Sequence, residues 1–258
     1  MTKPKKYRTI WISDFHLGTR RAQAEAVVNF LNHNDAETIY LIGDVVDGWR
    51  LAKKFYWPAS HSAVLKAILE KAKQGTKIVY ITGNHDDFLR RHSRHARAQG
   101  NISLTDEAVH VMADRREFLV IHGDQYDRVT TNHRWLALTS DFMYSGLIWF
   151  NRYLNKVRAW LGLEYWSLSL FMKQKVKAAI GWFSRFENRL VRECQKRNLA
   201  GIICGHIHKA EIRMLKNNIF YANAGDWVES CTALVESLNG EIGIIDWRKT
   251  SAAGSKVG

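Results

Sequence analysis

Proline and cysteine are scarce in this chain, with two of the first and three of the second in 258 residues. So few prolines leave little room for a stiff linker, and this length suits one core or one core carrying an insertion. Cys194, Cys204 and Cys231 are odd in number and lack Cys-x-x-Cys spacing, which excludes a disulfide framework and a thiolate metal site and fits a reducing compartment. Long apolar runs are missing too: the longest, Phe142 to Phe150, is roughly half of the about 20 residues that cross a bilayer. Met1 to Arg8 is polar and basic, without the apolar centre of a secretory signal. The expectation is a cytoplasmic protein that does not span a membrane.

Negative charge is the other shortage. Against 38 Lys and Arg stand 25 Asp and Glu, a net charge of +13, which attracts a phosphate ester, an acidic lipid surface or a nucleic acid. At 46% hydrophobic residues the chain is globular rather than disordered.

Short apolar and β-branched runs recur at Thr9–Ile12, Thr38–Ile42, Ile78–Ile81, Phe118–Ile121, Ile202–Cys204, Ile219–Tyr221, Cys231–Val235 and Ile242–Ile245, and they read as buried strands. Helical patterns span Ala22–Leu31 and Ser62–Lys73, the second stopped by Gly75. Alternating strands and helices predict an α/β core. After Asp127 the pattern changes. Trp135, Leu138, Phe142, Trp149, Tyr153, Val157 and Trp160 fall at helical spacing, as do Phe171, Ala178, Trp182, Phe186 and Leu190, so 127–199 reads as a helical insertion. Arg128 to Leu199 carries thirteen Lys or Arg against four Asp or Glu, and five of the ten tryptophans. A segment both basic and aromatic suits the surface of an anionic membrane; its plainer reading is helix–helix core below a solvated face.

Five motifs each follow a predicted strand: Asp14-Phe15-His16, Gly43-Asp44-Val45-Val46-Asp47, Gly83-Asn84-His85-Asp86, His122-Gly123-Asp124 and Gly205-His206-Ile207-His208. Strand ends of open α/β sheets are where ligands bind, so these loops can converge on one site. Each motif alone is weak; the ordered set is specific. With it the chain resembles the calcineurin-like metallophosphoesterases, from Thr9 to Trp247.

That resemblance implies an α/β fold, a β-sandwich flanked by helices with an inserted helical lid: core 1–126 and 200–250, lid 127–199, flexible tail 251–258. It implies one metal on Asp14, His16 and His208, a second on Asn84, His122 and His206, and Asp44 bridging them. Carboxylate, imidazole and amide ligands suit Mn²⁺ first, with Fe²⁺ or Zn²⁺ as alternatives. With two carboxylates among seven ligands, two divalent cations keep about two units of positive charge with which to act on phosphate. The resemblance also places His85 beside the scissile phosphate as proton donor, with Asp47 as its partner, and Asn84 and His206 against the substrate.

Within the superfamily the chain is most similar to the UDP-2,3-diacylglucosamine pyrophosphohydrolases of lipid A synthesis, which carry a helical lid in the gap that here runs from His122 to His206. This implies hydrolysis of UDP-2,3-diacylglucosamine to UMP and 2,3-diacylglucosamine 1-phosphate at the inner face of the cell membrane. Lys173, Lys175, Lys177 and Arg185 alternate with the apolar stripe and are expected to meet phosphate or headgroups. Two positions depart from that group: His85, where it has arginine, and Gln125-Tyr126-Asp127, where it has a Cys-Thr-Asp-like continuation. These departures leave open a divergent relative acting on another lipid-linked or nucleotide pyrophosphate. The competing readings are a metal-dependent phosphodiesterase or nuclease acting on another nucleotide or nucleic-acid substrate, the nuclease being disfavoured by the Trp-rich insertion, and an inactive scaffold, which the intact ligand set disfavours. No obligate protein partner is evident. His33, His61, His92, His95, His110 and His133 read as surface or structural residues, and Arg90, Arg91, Arg94 and Arg97 as a solvated helix face or a substrate entrance.

Overall fold

The computed structural model describes residues 4–90, 100–127 and 185–254. It divides into two units, 1–125 with 191–258, and 126–190. Most of the expected lid, including Lys173, Lys175 and Lys177, lies outside the described residues.

The first unit is built on two sheets. One has six strands, β1 (Lys5–Ile12), β2 (Asn34–Ile42), β3 (Lys77–Ile81), β4 (Ile102–Thr105), β10 (Thr232–Glu236) and β11 (Ile242–Asp246), in the order β11-β10-β1-β2-β3-β4. The other has five, β5 (Glu107–Val111), β6 (Glu117–Ile121), β7 (Gly201–Cys204), β8 (Glu211–Met214) and β9 (Phe220–Asn223), in the order β5-β6-β7-β9-β8. The strands β1 to β4 run parallel in the first sheet, as do β6, β7 and β9 in the second. Helices α1 (Ala24–His33), α2 (Gly48–Lys53) and α3 (Ala59–Lys73) connect the early strands. Gly75, at φ +102, takes the left-handed turn that ends α3.

Side chains alternate across a strand, so a fully apolar strand must be covered on both faces. In β1, Ile10 and Ile12 pack with α1 and α3 residues such as Phe30 and Val64, while Trp11 between them joins the second cluster. In β2, Ile39 and Leu41 go one way and Tyr40 and Ile42 the other. The second cluster lies between the sheets, because Phe118 and Val120 of β6 and Ile203 of β7 share it with Trp11 and Tyr40. All eight predicted strands are present. The three that sequence reading misses, β4, β5 and β8, are sheet edges; they are mostly half-buried and carry no continuous apolar run. The helix Trp247–Gly254 runs into the segment expected to be a tail.

One polar knot ties the sheets together inside this core. Glu236 of β10, fully buried, accepts from Thr9 Oγ1 at 3.1 Å and from the amide of Ala113 at 2.8 Å, and meets His110 Nε2 of β5 at 3.1 Å. Tyr40 OH lies 3.3 Å from the other nitrogen of His110. Burial resists ionisation of Glu236, but these donors outweigh it and lower its pKa. Ionised Glu236 therefore stabilises the fold above the ordinary carboxylate range near about pH 4.3, and that contribution is lost as pH falls below this range through the folded value. Glu236→Gln is expected to cost about 2 kcal/mol at pH 7 by urea unfolding and to lose less than the parent as pH falls below about 4.3. Equal acid sensitivity in the two proteins would count against this role.

Candidate metal centre

The five motifs leave the C-terminal ends of β1, β2, β3, β6 and β7. The loops after β1 and β2 continue the parallel pairing: Asp14 N donates to Gly43 O, His16 N to Asp44 O and Leu17 N to Val45 O, at 2.9 to 3.1 Å. The two sheets are joined at this end as well. His122 Nδ1 donates to the Ile42 carbonyl at 2.9 Å, Trp227 N to Asp14 O at 3.0 Å, and Ser13 Oγ to Gly225 O at 2.8 Å.

Asp44 sits where these loops meet. Its Oδ1 accepts the amide of His85 at 2.8 Å, and its Oδ2 faces three imidazoles: His122 Nε2 at 3.4 Å and the Nε2 atoms of His16 and His85 at 3.9 Å each. Asp14 is arranged in the same way. Its Oδ2 accepts the amide of His206 at 3.1 Å, and its Oδ1 faces His208 Nε2 at 3.1 Å and His16 Nε2 at 3.9 Å. The His122 and His206 rings are 5.1 Å apart. Asn84 lies on the same loop as His85, with a buried Oδ1. The structure thus brings Asp14, His16, Asp44, His122, His206 and His208 close to one another, with Asp47 and His85 beside them, and puts Asn84 on the loop of His85. Arg185 is exposed on the helical stretch 185–196.

The backbone is bent to achieve this. Asp14, His16, Asp44, His206 and His208 all have φ between +50 and +67, a left-handed conformation that Asp, Asn and His tolerate better than other side chains and that still costs of order 1–3 kcal/mol each. Glycine is needed where loops cross. A Cβ on Gly43 would collide with the His122 ring and come 2.8 Å from Gly83 Cα, and one on Gly83 would enter the Asp44 carboxylate.

Electrostatics follow from burial and proximity. Burial resists ionisation of Asp44, yet His122, His16 and His85 outweigh it and hold the carboxyl well below its ordinary range. Asp14 is held at about 2, burial again being overcome, chiefly by His208. Desolvation favours neutral histidine, but Asp44 draws His122 well above its usual value, and Asp14 draws His208 up to about 9. His85 is also raised: burial is opposed by the Asp47 hydrogen bond and by Asp44.

A divalent cation suits this cluster. Asp14 Oδ1, His16 Nε2, Asn84 Oδ1 and His122 Nε2 are buried without hydrogen-bond partners, and an unpaired buried polar atom costs about 1–3 kcal/mol. All four are nitrogen or oxygen atoms that can offer a lone pair. Asp14, His16 and His208 can present ligand atoms to one ion, as can Asp14, Asp44 and His122. The His122 bond to Ile42 O directs Nε2 inward, the outer support that metal-ligating histidines require. His16, Asp47 and His85 form a third such group, because Asp47 Oδ2 lies 3.4 Å from His16 Nδ1 and 3.1 Å from His85 Nδ1.

Two positioning residues escape sequence reading. Asp86 accepts from Val45 N, Gly83 N and Tyr80 OH, tying the Asp44 loop to the Asn84 loop; burial and Asp44 raise its pKa to about 6. Asn223, at the end of β9, donates to Gly205 O at 2.7 Å and accepts from Gly225 N, fixing the His206 loop. Asp86 stands inside a motif, a signal that marks it without saying what it binds. Asn223 has no local signal.

The model of the calcineurin-like phosphoesterase family matches residues 7–210. A UDP-2,3-diacylglucosamine hydrolase of Actinobacillus succinogenes is 28% identical over 88% of this chain and 95% of its own. One of Shewanella oneidensis is 27% identical over 90% of this chain and 95% of its own. Among solved structures, a Thermotoga maritima protein matches 93% of this chain and 97% of its own at 16% identity and a TM-score of 0.44.

Protons and metal compete for the same histidines, so binding should expel protons. Calorimetric titration of the apoprotein with Mn²⁺ at pH 7 in buffers of different ionisation enthalpy is expected to show net proton release and an affinity that rises with pH towards 9. Asp44→Asn should abolish the tighter binding step; unchanged affinity in that variant would remove Asp44 from the ligand set.

Proposed function

The chain belongs to the calcineurin-like phosphoesterase family and is a phosphoester hydrolase; from that premise we propose that it cleaves UDP-2,3-diacylglucosamine, or a related lipid-linked nucleotide pyrophosphate, to UMP and the sugar 1-phosphate. The carrying observation is the end-to-end similarity to relatives named for that substrate.

We assign Asp14, His16 and His208 to one cation, Asn84, His122 and His206 to the other, and Asp44 to both, with Mn²⁺ as the resident metal. When bound, such a pair supplies Lewis acidity to the phosphate oxygens and acidifies an attacking water. The chain supplies orientation and a proton. Asn84 and His206 face the phosphate that is attacked. Asp47, whose Oδ2 lies 3.1 Å from His85 Nδ1, stays ionised and favours the protonated imidazole, which gives its Nε2 proton to the leaving oxygen as the P–O bond breaks.

His85 also favours a second reading. The lipid A enzymes resembled here carry arginine at this place, and a histidine that can give up a proton suits a less activated leaving group, such as the alkoxide of a nucleotide phosphodiester. Lys173, Lys175, Lys177 and Arg185 are assigned to an anionic membrane surface at the cytoplasmic face, each contributing roughly 1 kcal/mol near it.

The discriminating assay offers the Mn²⁺ protein UDP-2,3-diacylglucosamine, other nucleotide diphosphate sugars, bis-p-nitrophenyl phosphate and DNA. UMP release from the lipid substrate, reduced about 10² to 10⁴-fold by His85→Ala, is the expected result; turnover of only the non-lipid substrates would sink the lipid reading. Changing the four basic residues to alanine should release the protein from acidic vesicles at fixed salt, and undiminished sedimentation would remove the membrane role.

A further inference from the structure

The proposed proton donor is held on more than one side by three consecutive residues at the start of α2. Asp47 places Oδ2 3.1 Å from His85 Nδ1. Gly48 N donates to the His85 carbonyl at 2.9 Å. Trp49 lays its indole against the imidazole, with ring centroids 4.2 Å apart and planes inclined by 40°. His16 meets the same imidazole edge-on at 4.7 Å. The middle residue must be glycine for this approach, since a Cβ there would lie 2.7 Å from the Phe88 ring and 3.1 Å from the His85 carbonyl oxygen.

A hydrogen bond to Nδ1 restrains one atom of a ring and leaves the plane free to tilt about it. Proton transfer needs the other nitrogen held in direction as well as in distance. A close ring contact, tilted here by 40°, supplies that second restraint without competing for either nitrogen. Trp49 can supply it because it belongs to the turn that Asp47 caps: Asp47 Oδ1 accepts from Arg50 N at 2.9 Å while Oδ2 serves the histidines. Carboxylate and indole are therefore anchored on one capped turn.

We propose that Trp49 is a positioning residue that fixes the His85 imidazole plane and so aims Nε2, 3.9 Å from Asp44 Oδ2, at the centre of the ligand cluster. This rests on the reading of His85 as proton donor. Removing Trp49 leaves the donor present but badly aimed, so the loss grows with the leaving group's need for a proton.

The test compares the Mn²⁺-loaded protein with Trp49→Ala, Trp49→Phe, His85→Ala and the Trp49→Ala/His85→Ala double variant on methyl p-nitrophenyl phosphate and methyl phenyl phosphate. In Trp49→Ala, kcat for the phenolate leaving group should fall about tenfold more than kcat for p-nitrophenolate, with KM little changed and bound manganese at the parent level. Trp49→Phe should restore most of the difference, and Trp49→Ala should cost less than about twofold when His85 is already absent. If Trp49→Ala does not fold, Trp49→Leu takes its place, keeping bulk without a ring face. Equal losses with and without His85, or a fall in manganese that tracks activity, would overturn the proposal while leaving the role of His85 intact. If His85→Ala itself shows no leaving-group dependence, the proton-donor reading fails first, and the proposal with it.

Discussion

A single buried carboxylate, Asp44, sets the terms for the rest of the site. One of its oxygens is spent on the backbone of the Asn84 loop, and the other faces imidazoles that arrive from the loops after β1, β3 and β6. A carboxylate so deeply buried is tolerable only because cationic or cation-seeking partners surround it. The same demand runs outward: His122 must be braced by Ile42 O, and Asp86 must tie together the loops that carry Asp44 and Asn84. The two sheets are thus locked at this end by the needs of the centre, and deeper inside by the pair of Glu236 and His110.

Strain and chemistry coincide here. Five expected ligands adopt left-handed backbone conformations, and glycines stand where their neighbours' side chains leave no room for a Cβ. Such conformations persist only when the surroundings over-determine them. The parallel strands below supply that rigidity, because the loops after β1 and β2 extend the ladder by backbone bonds before they turn. Preorganised ligands need little rearrangement when a cation or a phosphate arrives.

Much of this was legible in the chain. The eight apolar runs correspond to real strands, most of them because a strand buried on both faces must be apolar at nearly every position, a local signature; the half-buried edge strand β11 keeps an isoleucine-rich run as well. The motifs gave the ligand types and their order. The strands β4, β5 and β8 were not legible, since these half-buried edge strands carry no continuous apolar run, unlike the edge strand β11 with its isoleucines. Asn223 and Glu236 were silent for a different reason: the partners that reveal their roles, Gly205 and His110, lie 18 and 126 residues away.

By itself the sequence determined an α/β core, five ligand-bearing loops at strand ends and a mixed oxygen and nitrogen donor set, because periodicity and turn chemistry act over a few residues. Only the tertiary structure decided that Asp47 serves both His16 and His85, that Trp49 covers the His85 ring, and that His110 and Glu236 pair between the sheets. Those facts depend on which strand ends meet and at what register, and register is set by the packing of whole sheets rather than by any short stretch of chain.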